Sequence, residues 1–205
     1  MAGVALLVLG LSCLGWLAYQ YVGTNLVARR SFDTERQQLR QRWAQPAPAP
    51  SATPAPVGRG QGVALLRIPA LGADYEVPIR EGVDLDTLAR GVGRYPGSAE
   101  PGQVGNVALA GHRVTHGEPF ARLLELDPGD EVVIETSAAV YTYVLDAAPR
   151  ALTVRDTATW VLDPVPGQPA ARPTKALITL TTCQDLVRSP DRSVGFGHLE
   201  STRNK

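Results

Sequence analysis

The segment Lys175-Ala-Leu-Ile-Thr-Leu-Thr-Thr-Cys183 is rich in β-branched residues and ends in a thiol. This composition predicts a buried strand that ends at the cysteine. Cys183 is the only cysteine outside the N-terminal apolar segment, so the rest of the chain offers it no disulfide partner. A thiol fixed at a strand end can act as a nucleophile, although an isolated cysteine is also commonly a small, inert core residue.

A cysteine nucleophile reacts as the thiolate and therefore needs a nearby base or cation. The candidates are the histidines His112, His116 and His198, together with the arginines. His112 ends a second apolar run, Asn106-Val-Ala-Leu-Ala-Gly-His112, and two strand ends can bring an imidazole and a thiol together. Arg192 directly precedes a short strand-like segment, where a fixed guanidinium could stabilise an oxyanion.

These residues resemble the sortase family, the cysteine transpeptidases that attach proteins to Gram-positive cell walls. Thr179-Leu180-Thr181-Thr182-Cys183 matches the family's T-L-x-T-C motif, and His112 and Arg192 match its catalytic histidine and arginine. Ile68-Pro69-Ala70-Leu71-Gly72 and Pro96-Gly97-Ser98 extend the likeness, which spans residues 65–199. The segment from Gly111 to Phe120 is most similar to actinobacterial class E, with class D next.

The resemblance implies a mechanism. The Cys183 thiolate attacks the threonine carbonyl of an L-P-x-T-G or L-A-x-T-G sorting signal, and protonated His112 donates to the leaving amine. Arg192, preferred over Arg188, holds the substrate backbone and the oxyanion, with help from the amide or hydroxyl of Thr182. The implied partners are sorting-signal-bearing surface proteins and a peptidoglycan amine as acceptor, and no metal or other cofactor is expected.

His116 stands where many class E members carry tyrosine. We expect it to contact the substrate and to favour L-A-x-T-G, because alanine exposes a backbone N–H that proline lacks. The long connection over residues 156–174 corresponds to the sortase loop that lines the substrate groove. We therefore assign Trp160 and Leu162 to substrate binding, and the alternative is that the segment from Trp160 to Leu162 only pins the loop onto the barrel.

Other functions are open at this stage. A cysteine hydrolase on the same fold would share the thioester and differ only in its acceptor, and a pilin-polymerising sortase is a further alternative. A zinc hydrolase using His112, His116 and Cys183 is disfavoured because no acidic ligand accompanies the pair. A non-enzymatic wall-binding domain would not need the thiol, imidazole and guanidinium together.

The N-terminal segment is apolar for about the twenty residues that a membrane span requires. We interpret residues 2–24 as an uncleaved transmembrane signal anchor, rather than a cleaved signal peptide. Residues 25–61 are interpreted as a juxtamembrane segment, with a short helix at 32–43, and a proline- and alanine-rich stalk that holds the domain away from the bilayer. Residues 62–205 form the predicted catalytic domain. The formal net charge of +0 gives no indication of a nucleic-acid partner.

The basic residues Arg29 and Arg30 follow the apolar segment, which taken alone would place the C-terminal domain inside the cell. The sortase resemblance implies the opposite, a single-pass protein of the cell membrane with its domain outside, and we give it more weight.

The remainder predicts a mainly β domain of short strands separated by turns. Strands are predicted at 63–68, 75–79, 106–110, 130–136, 139–147, 175–182 and 193–199, with short helices at 84–89 and 119–124. The resemblance implies that the strands form the eight-stranded sortase β-barrel.

Overall fold

The computed structural model describes residues 2–45, 58–183 and 189–205, and for Cys183 it describes the backbone. The chain begins with one long helix, which consists of α1 (Ala2–Ala18), a π-helical turn (Tyr19–Gly23) and α2 (Thr24–Ala44). The helix α1 is apolar, and none of its residues is buried. By length and composition, this helix could cross a membrane.

The described residues after this helix form nine strands in one sheet. They are β1 (Gly62–Arg67), β2 (Glu76–Glu81), β3 (Val92–Arg94), β4 (Gly105–Ala110), β5 (Glu131–Glu135), β6 (Ala139–Ala147), β7 (Thr153–Arg155), β8 (Ala176–Cys183) and β9 (Asp191–Asn204). Their order is β6-β5-β1-β2-β3-β4-β8-β9-β7, and a β6–β9 pairing closes the sheet. Eight strands therefore make the predicted closed barrel, while β7 pairs with β9 beside it.

The barrel interior is filled by apolar side chains from nearly every strand. Leu66, Leu109, Ile134, Tyr143 and Leu180 are all fully buried there. The Tyr143 hydroxyl is not left unpaired, because it accepts a hydrogen bond of 2.7 Å from the backbone N–H of Gly102. This packing gives β4, β8 and β9 a rigid base from which their ends project.

All seven strands predicted from the sequence are present, whereas the three-residue strands β3 and β7 were missed. The predicted helix at 84–89 appears as α3 (Leu85–Leu88), which Asp84 caps by accepting a 3.0 Å hydrogen bond from the Thr87 N–H. The predicted helix at 119–124 is wrong. Its backbone makes bonds between residues three apart, including Ala121 N to Glu118 O, so it forms turns that lead into a 3-10 helix at Leu123–Glu125.

Helix α2 packs on the outside of the barrel and is longer than the predicted helix at 32–43. Ala28, Phe32 and Leu39 are its buried residues. Its Glu35 also pairs with Arg80 of β2 at 2.6 Å, and both side chains are largely buried. The proline- and alanine-rich segment that follows, residues 46–57, lies outside the described residues.

Candidate active site

The ends of β4 and β8 lie side by side. The two strands are parallel, and Ala110 is in register with Thr181. The pairing continues into the next residue, because the Gly111 N–H donates to the Thr181 carbonyl at 3.2 Å. The Thr182 hydroxyl closes the junction by donating to the Gly111 carbonyl at 2.9 Å. His112 therefore leaves β4 at the level where Cys183 ends β8.

The start of β9 reaches the same place from the other side of β8. Strands β8 and β9 are antiparallel, and Cys183 is in register with Arg192. The positions predicted as nucleophile, base and oxyanion donor thus stand at three neighbouring strand ends. They are 71 and 9 residues apart in the sequence, and the sheet topology alone brings them together.

His112 is partly buried, and its ring stacks on that of His116 with 4.8 Å between the centroids. Burial, and secondarily the neighbouring His116, lowers the pKa of His112 to about 4. Desolvation disfavours the imidazolium, so the neutral ring predominates at neutral pH. In the mechanism that the resemblance implies, His112 donates as the imidazolium, which is the form that this burial disfavours.

His116 lies in a tight turn with its backbone in the left-handed region, at φ 56°. Its Nδ1 is 2.9 Å from the Thr115 hydroxyl. Burial lowers the pKa of His116 as well. The two histidines therefore form one neutral, stacked pair at neutral pH.

Arg192 is fixed by its own turn. Its Nη1 donates to the carbonyls of Ser189 at 2.6 Å and Asp191 at 3.0 Å. Its Nη2 lies 3.8 Å from an Asp156 carboxylate oxygen. These contacts hold the guanidinium in its own turn, and Arg192 itself is in register with Cys183 at the end of β8. The rival arginine, Arg188, lies outside the described residues.

Thr182 is buried, and its hydroxyl proton is used in the bond to Gly111. This bond to the Gly111 carbonyl competes with the expected role of the hydroxyl as a donor to the oxyanion. Its evident task is to join the ends of β4 and β8.

The connection between β7 and β8 is pinned to the barrel by buried polar groups that the sequence analysis missed. The Asn106 side-chain amide donates to the carbonyls of Val161 at 3.2 Å and Asp163 at 3.0 Å. Thr179 in turn donates to the Asn106 side-chain oxygen at 2.9 Å. The sequence did carry one indication of this contact. Asn106 begins an otherwise apolar predicted strand, where a buried side-chain amide needs hydrogen-bond partners.

Trp160 and Leu162 flank the pinned Val161 in a short 3-10 helix. The Trp160 side chain is 38% exposed and lies beside Phe196 of β9, with 6.2 Å between ring centroids. An exposed aromatic side chain over the β8–β9 surface is available to a ligand. Leu162 is half-buried.

His198 does not join the site. It lies further along β9, and its Nδ1 is 2.9 Å from an Asp146 carboxylate oxygen. Over the parts of the chain that the structure describes, no three histidine, cysteine or acidic residues come together as a metal site. The side chain of Cys183, the third ligand of the zinc-hydrolase alternative, lies outside the part of the chain that the structure describes.

Comparison with known proteins agrees with this geometry. The family model for the sortase domain matches residues 66–200, which contain all three positions. The chain belongs to the sortase family. Sortases are cysteine transpeptidases.

Several relatives are sortases of class E. This sortase is 35% identical to sortase SrtE1 of Streptomyces coelicolor over 95% of its own length, but it spans only 55% of that relative. It is 29% identical to SrtE2 of the same organism, covering 96% of this chain and 78% of the relative. Sortase D of Bacillus subtilis is 42% identical over 41% of this chain and 40% of its own. The predicted similarity to class E, with class D next, is confirmed.

Solved structures give the same result. The sortase E structure from Streptomyces avermitilis superposes with a TM-score of 0.64 at 37% identity, covering 72% of this chain and 93% of the other. Sortase E1 from Streptomyces coelicolor, solved with a tripeptide in the active site, gives 0.62 at 37% identity, covering 71% and 91%. The predicted eight-stranded sortase barrel is confirmed.

Proposed function

We propose that this protein is a membrane-anchored sortase that cleaves an L-P-x-T-G or L-A-x-T-G signal between threonine and glycine. It then transfers the threonine acyl group from the cysteine thioester to a peptidoglycan amine, forming an amide. The observation that carries the proposal is the meeting of the β4, β8 and β9 ends, where His112, Cys183 and Arg192 stand.

In the first half-reaction, neutral His112 takes the proton of the Cys183 thiol as sulfur attacks the threonine carbonyl. The resulting imidazolium then donates that proton to the departing glycine nitrogen, so the C–N bond breaks and a thioester remains. This order of events is supported by the lowered pKa of His112. In the second half-reaction the acceptor amine loses a proton to His112 and attacks the thioester, the C–S bond breaks, and the departing thiolate takes that proton back from His112.

Arg192 is proposed to stabilise the oxyanion that forms at the threonine carbonyl. A guanidinium fixed by two backbone carbonyls needs little reorganisation when charge develops next to it. Arg192 is also the residue in register with Cys183, which favours it over Arg188.

Substrate contacts are proposed for His116, Trp160, Leu162 and the backbone of Thr182. The exposed Trp160 ring beside Phe196 offers an apolar wall for the signal peptide. His116 stands at the turn after β4, within stacking distance of His112, where it can contact the residue that is proline or alanine in the signal.

The apolar N-terminal helix is proposed to anchor the enzyme as a single-pass protein with its catalytic domain outside the cell. The length and composition of the helix support anchoring. The outward orientation rests on the function, because its substrates and the proposed acceptor are extracellular.

Incubation of the full chain in detergent with both signal peptides and a small amine tests the proposal by mass spectrometry. We expect a threonine-linked amide product and faster consumption of the L-A-x-T-G peptide. Release of the free threonine acid alone, even with amine in excess, would identify the cysteine hydrolase instead. Faster transfer to a pilin lysine peptide than to the wall-type amine would favour the pilin-polymerising alternative. Faster consumption of L-P-x-T-G would reverse the stated peptide preference.

A further inference from the structure

The turn after β4 contains three consecutive residues in the left-handed backbone region. The φ angles of His116, Gly117 and Glu118 are 56°, 82° and 53°. Glycine adopts this region readily, but histidine and glutamate do so at a cost in free energy. Such conformations persist only where the surrounding structure holds them.

The surrounding structure here is the juxtamembrane helix. The side-chain oxygen of Asn25 in α2 accepts a hydrogen bond from the Gly117 N–H at 2.8 Å. Its side-chain nitrogen donates to a Glu118 carboxylate oxygen at 2.7 Å. The same nitrogen lies 3.5 Å from the Val114 carbonyl. One side chain of α2 thus contacts the turn at three residues, about ninety positions away in the sequence.

Gly117 also fits against the helix. A side chain at this position would meet the Phe32 ring at 2.7 Å and the Ala28 methyl group at 3.2 Å. Phe32 and Ala28 are buried in this contact. The left-handed backbone and the close approach of α2 both require glycine at position 117.

The turn connects directly to His112. The His116 ring stacks on His112, and the Phe120 N–H donates to the His112 carbonyl at 2.9 Å. A change in the turn at Gly117 therefore moves the group that partly buries the His112 imidazole.

We propose that α2 is part of the active site and that Asn25 is a positioning residue, which holds the His116–Glu118 turn so that His116 packs on His112. The expected effect of Asn25 on turnover rests on the proposed function. The expected effect of Asn25 on the packing of the two histidine rings does not depend on that function.

A purely structural role for Asn25 is a distinct alternative, because α2 has other attachments. Glu35 pairs with Arg80 at 2.6 Å, and Arg40 pairs with Glu76 at 2.7 Å, further along the helix. These ion pairs and the buried Leu39 hold α2 on the barrel without Asn25. We therefore expect Asn25→Ala to release the turn while leaving the helix docked.

The test uses the full chain in detergent, with histidine labelled for NMR, and compares Asn25→Ala with Gln37→Ala. Gln37 is an exposed amide on the same helix and serves as the matched control. We expect Asn25→Ala to lower kcat by about 10- to 100-fold, with a smaller change in KM, because release of the turn also disturbs the bond from the Phe120 N–H to the His112 carbonyl and so misplaces His112 itself. Its His112 resonance should titrate at higher pH than in the wild type, with an unchanged Tm. Gln37→Ala should match the wild type.

A second pair of variants reports on the same contact. Asn25→Asp keeps the acceptor for Gly117 but places a carboxylate against Glu118, so it should behave like Asn25→Ala. Adding Glu118→Gln restores a donor and an acceptor, and should return the His112 titration toward the wild-type value.

A wild-type His112 titration in both Asn25 variants would overturn the proposal, as would a Tm loss with no change in titration. The titration needs no turnover, so absence of transferase activity in the wild type would refute the proposed function and leave this inference to be judged on the histidine signals.

Discussion

The rings of His112 and His116 stack with 4.8 Å between their centroids and 27° between their planes. Burial of His112 disfavours the imidazolium, and the neighbouring His116 ring adds a smaller charge interaction in the same direction. Together they lower the pKa of His112 to about 4. A neutral imidazole suits the proposed role of His112, which is to take the thiol proton and pass it to the departing glycine nitrogen.

Removal of His116 should raise the pKa of His112. In His116→Gln the charge interaction is lost and burial is reduced, so the His112 signal should titrate above about 4 and below the ordinary value of 6.5. NMR titration of the labelled histidines measures this directly. An unchanged or lower value would show that the stack does not control the pKa of His112.

The same two residues should differ in their effect on rate. His112→Ala should lose about 10²- to 10⁴-fold in kcat, the usual contribution of a general acid–base group. His116→Gln should retain most of the rate and change the ratio of kcat/KM between the L-A-x-T-G and L-P-x-T-G peptides. Equal losses in the two variants would contradict separate roles.

Replacement of Cys183 should abolish the reaction. Because the thioester needs its sulfur, Cys183→Ala should show neither peptide cleavage nor an acyl-enzyme mass in intact-protein mass spectrometry. Cys13→Ala supplies the matched control, since Cys13 is an exposed free thiol in the apolar helix. Continued turnover in Cys183→Ala would refute the mechanism.

Arg192→Lys should slow the reaction steeply although the charge is kept. A lysine cannot contact the Ser189 and Asp191 carbonyls and still present a planar pair of donors to substrate. A lost oxyanion donor is worth about 3 kcal/mol, so kcat should fall by about 100-fold or more. Arg188→Lys, assayed in parallel, should remain near the wild-type rate. A reversed order would transfer the role to Arg188.

Asn106→Ala should loosen the loop over residues 156–174. The change removes the Asn106 donor from the Asp163 carbonyl and leaves the Val161 carbonyl with the Thr179 hydroxyl alone, and an unsatisfied buried group costs about 1–3 kcal/mol. We expect a higher KM for signal peptides and faster hydrogen exchange in the loop. Gln103→Ala, at an exposed amide near the same strand, is the control. Wild-type exchange in Asn106→Ala would show that other contacts hold the loop.

The sequence predicted the parts of the fold whose chemistry is local. Strand β8 was evident because its β-branched residues and terminal thiol form one continuous signal. Strand β3 was missed because three residues with a central glycine give no periodic pattern, and β7 was missed because Thr153–Arg155 is mostly exposed. The false helix at 119–124 reflects residue composition, which does not include the tertiary bond from Phe120 to His112.

The sequence also contains a pattern, weaker than that of β8, which indicates that α2 packs on the barrel. Ala28, Phe32 and Leu39 are spaced four and seven apart, which puts them on one helical face. Their polar neighbours indicated only a solvated juxtamembrane helix. The partner surface is assembled from β1, β2 and the turn after β4, so it does not exist until the barrel closes.

The continuous N-terminal helix also sets the distance between the apolar segment and the turn that carries His116. Asn25 follows Tyr21 by four residues, which is about 6 Å along a helix axis. If Tyr21 marks the bilayer boundary, the catalytic turn sits close to the lipid headgroups, and its height is determined by helical rise. Lengthening residues 46–57 would then leave that height unchanged, whereas inserting residues between Tyr21 and Asn25 would both lift the barrel and rotate its groove around the helix axis by about 100° per residue.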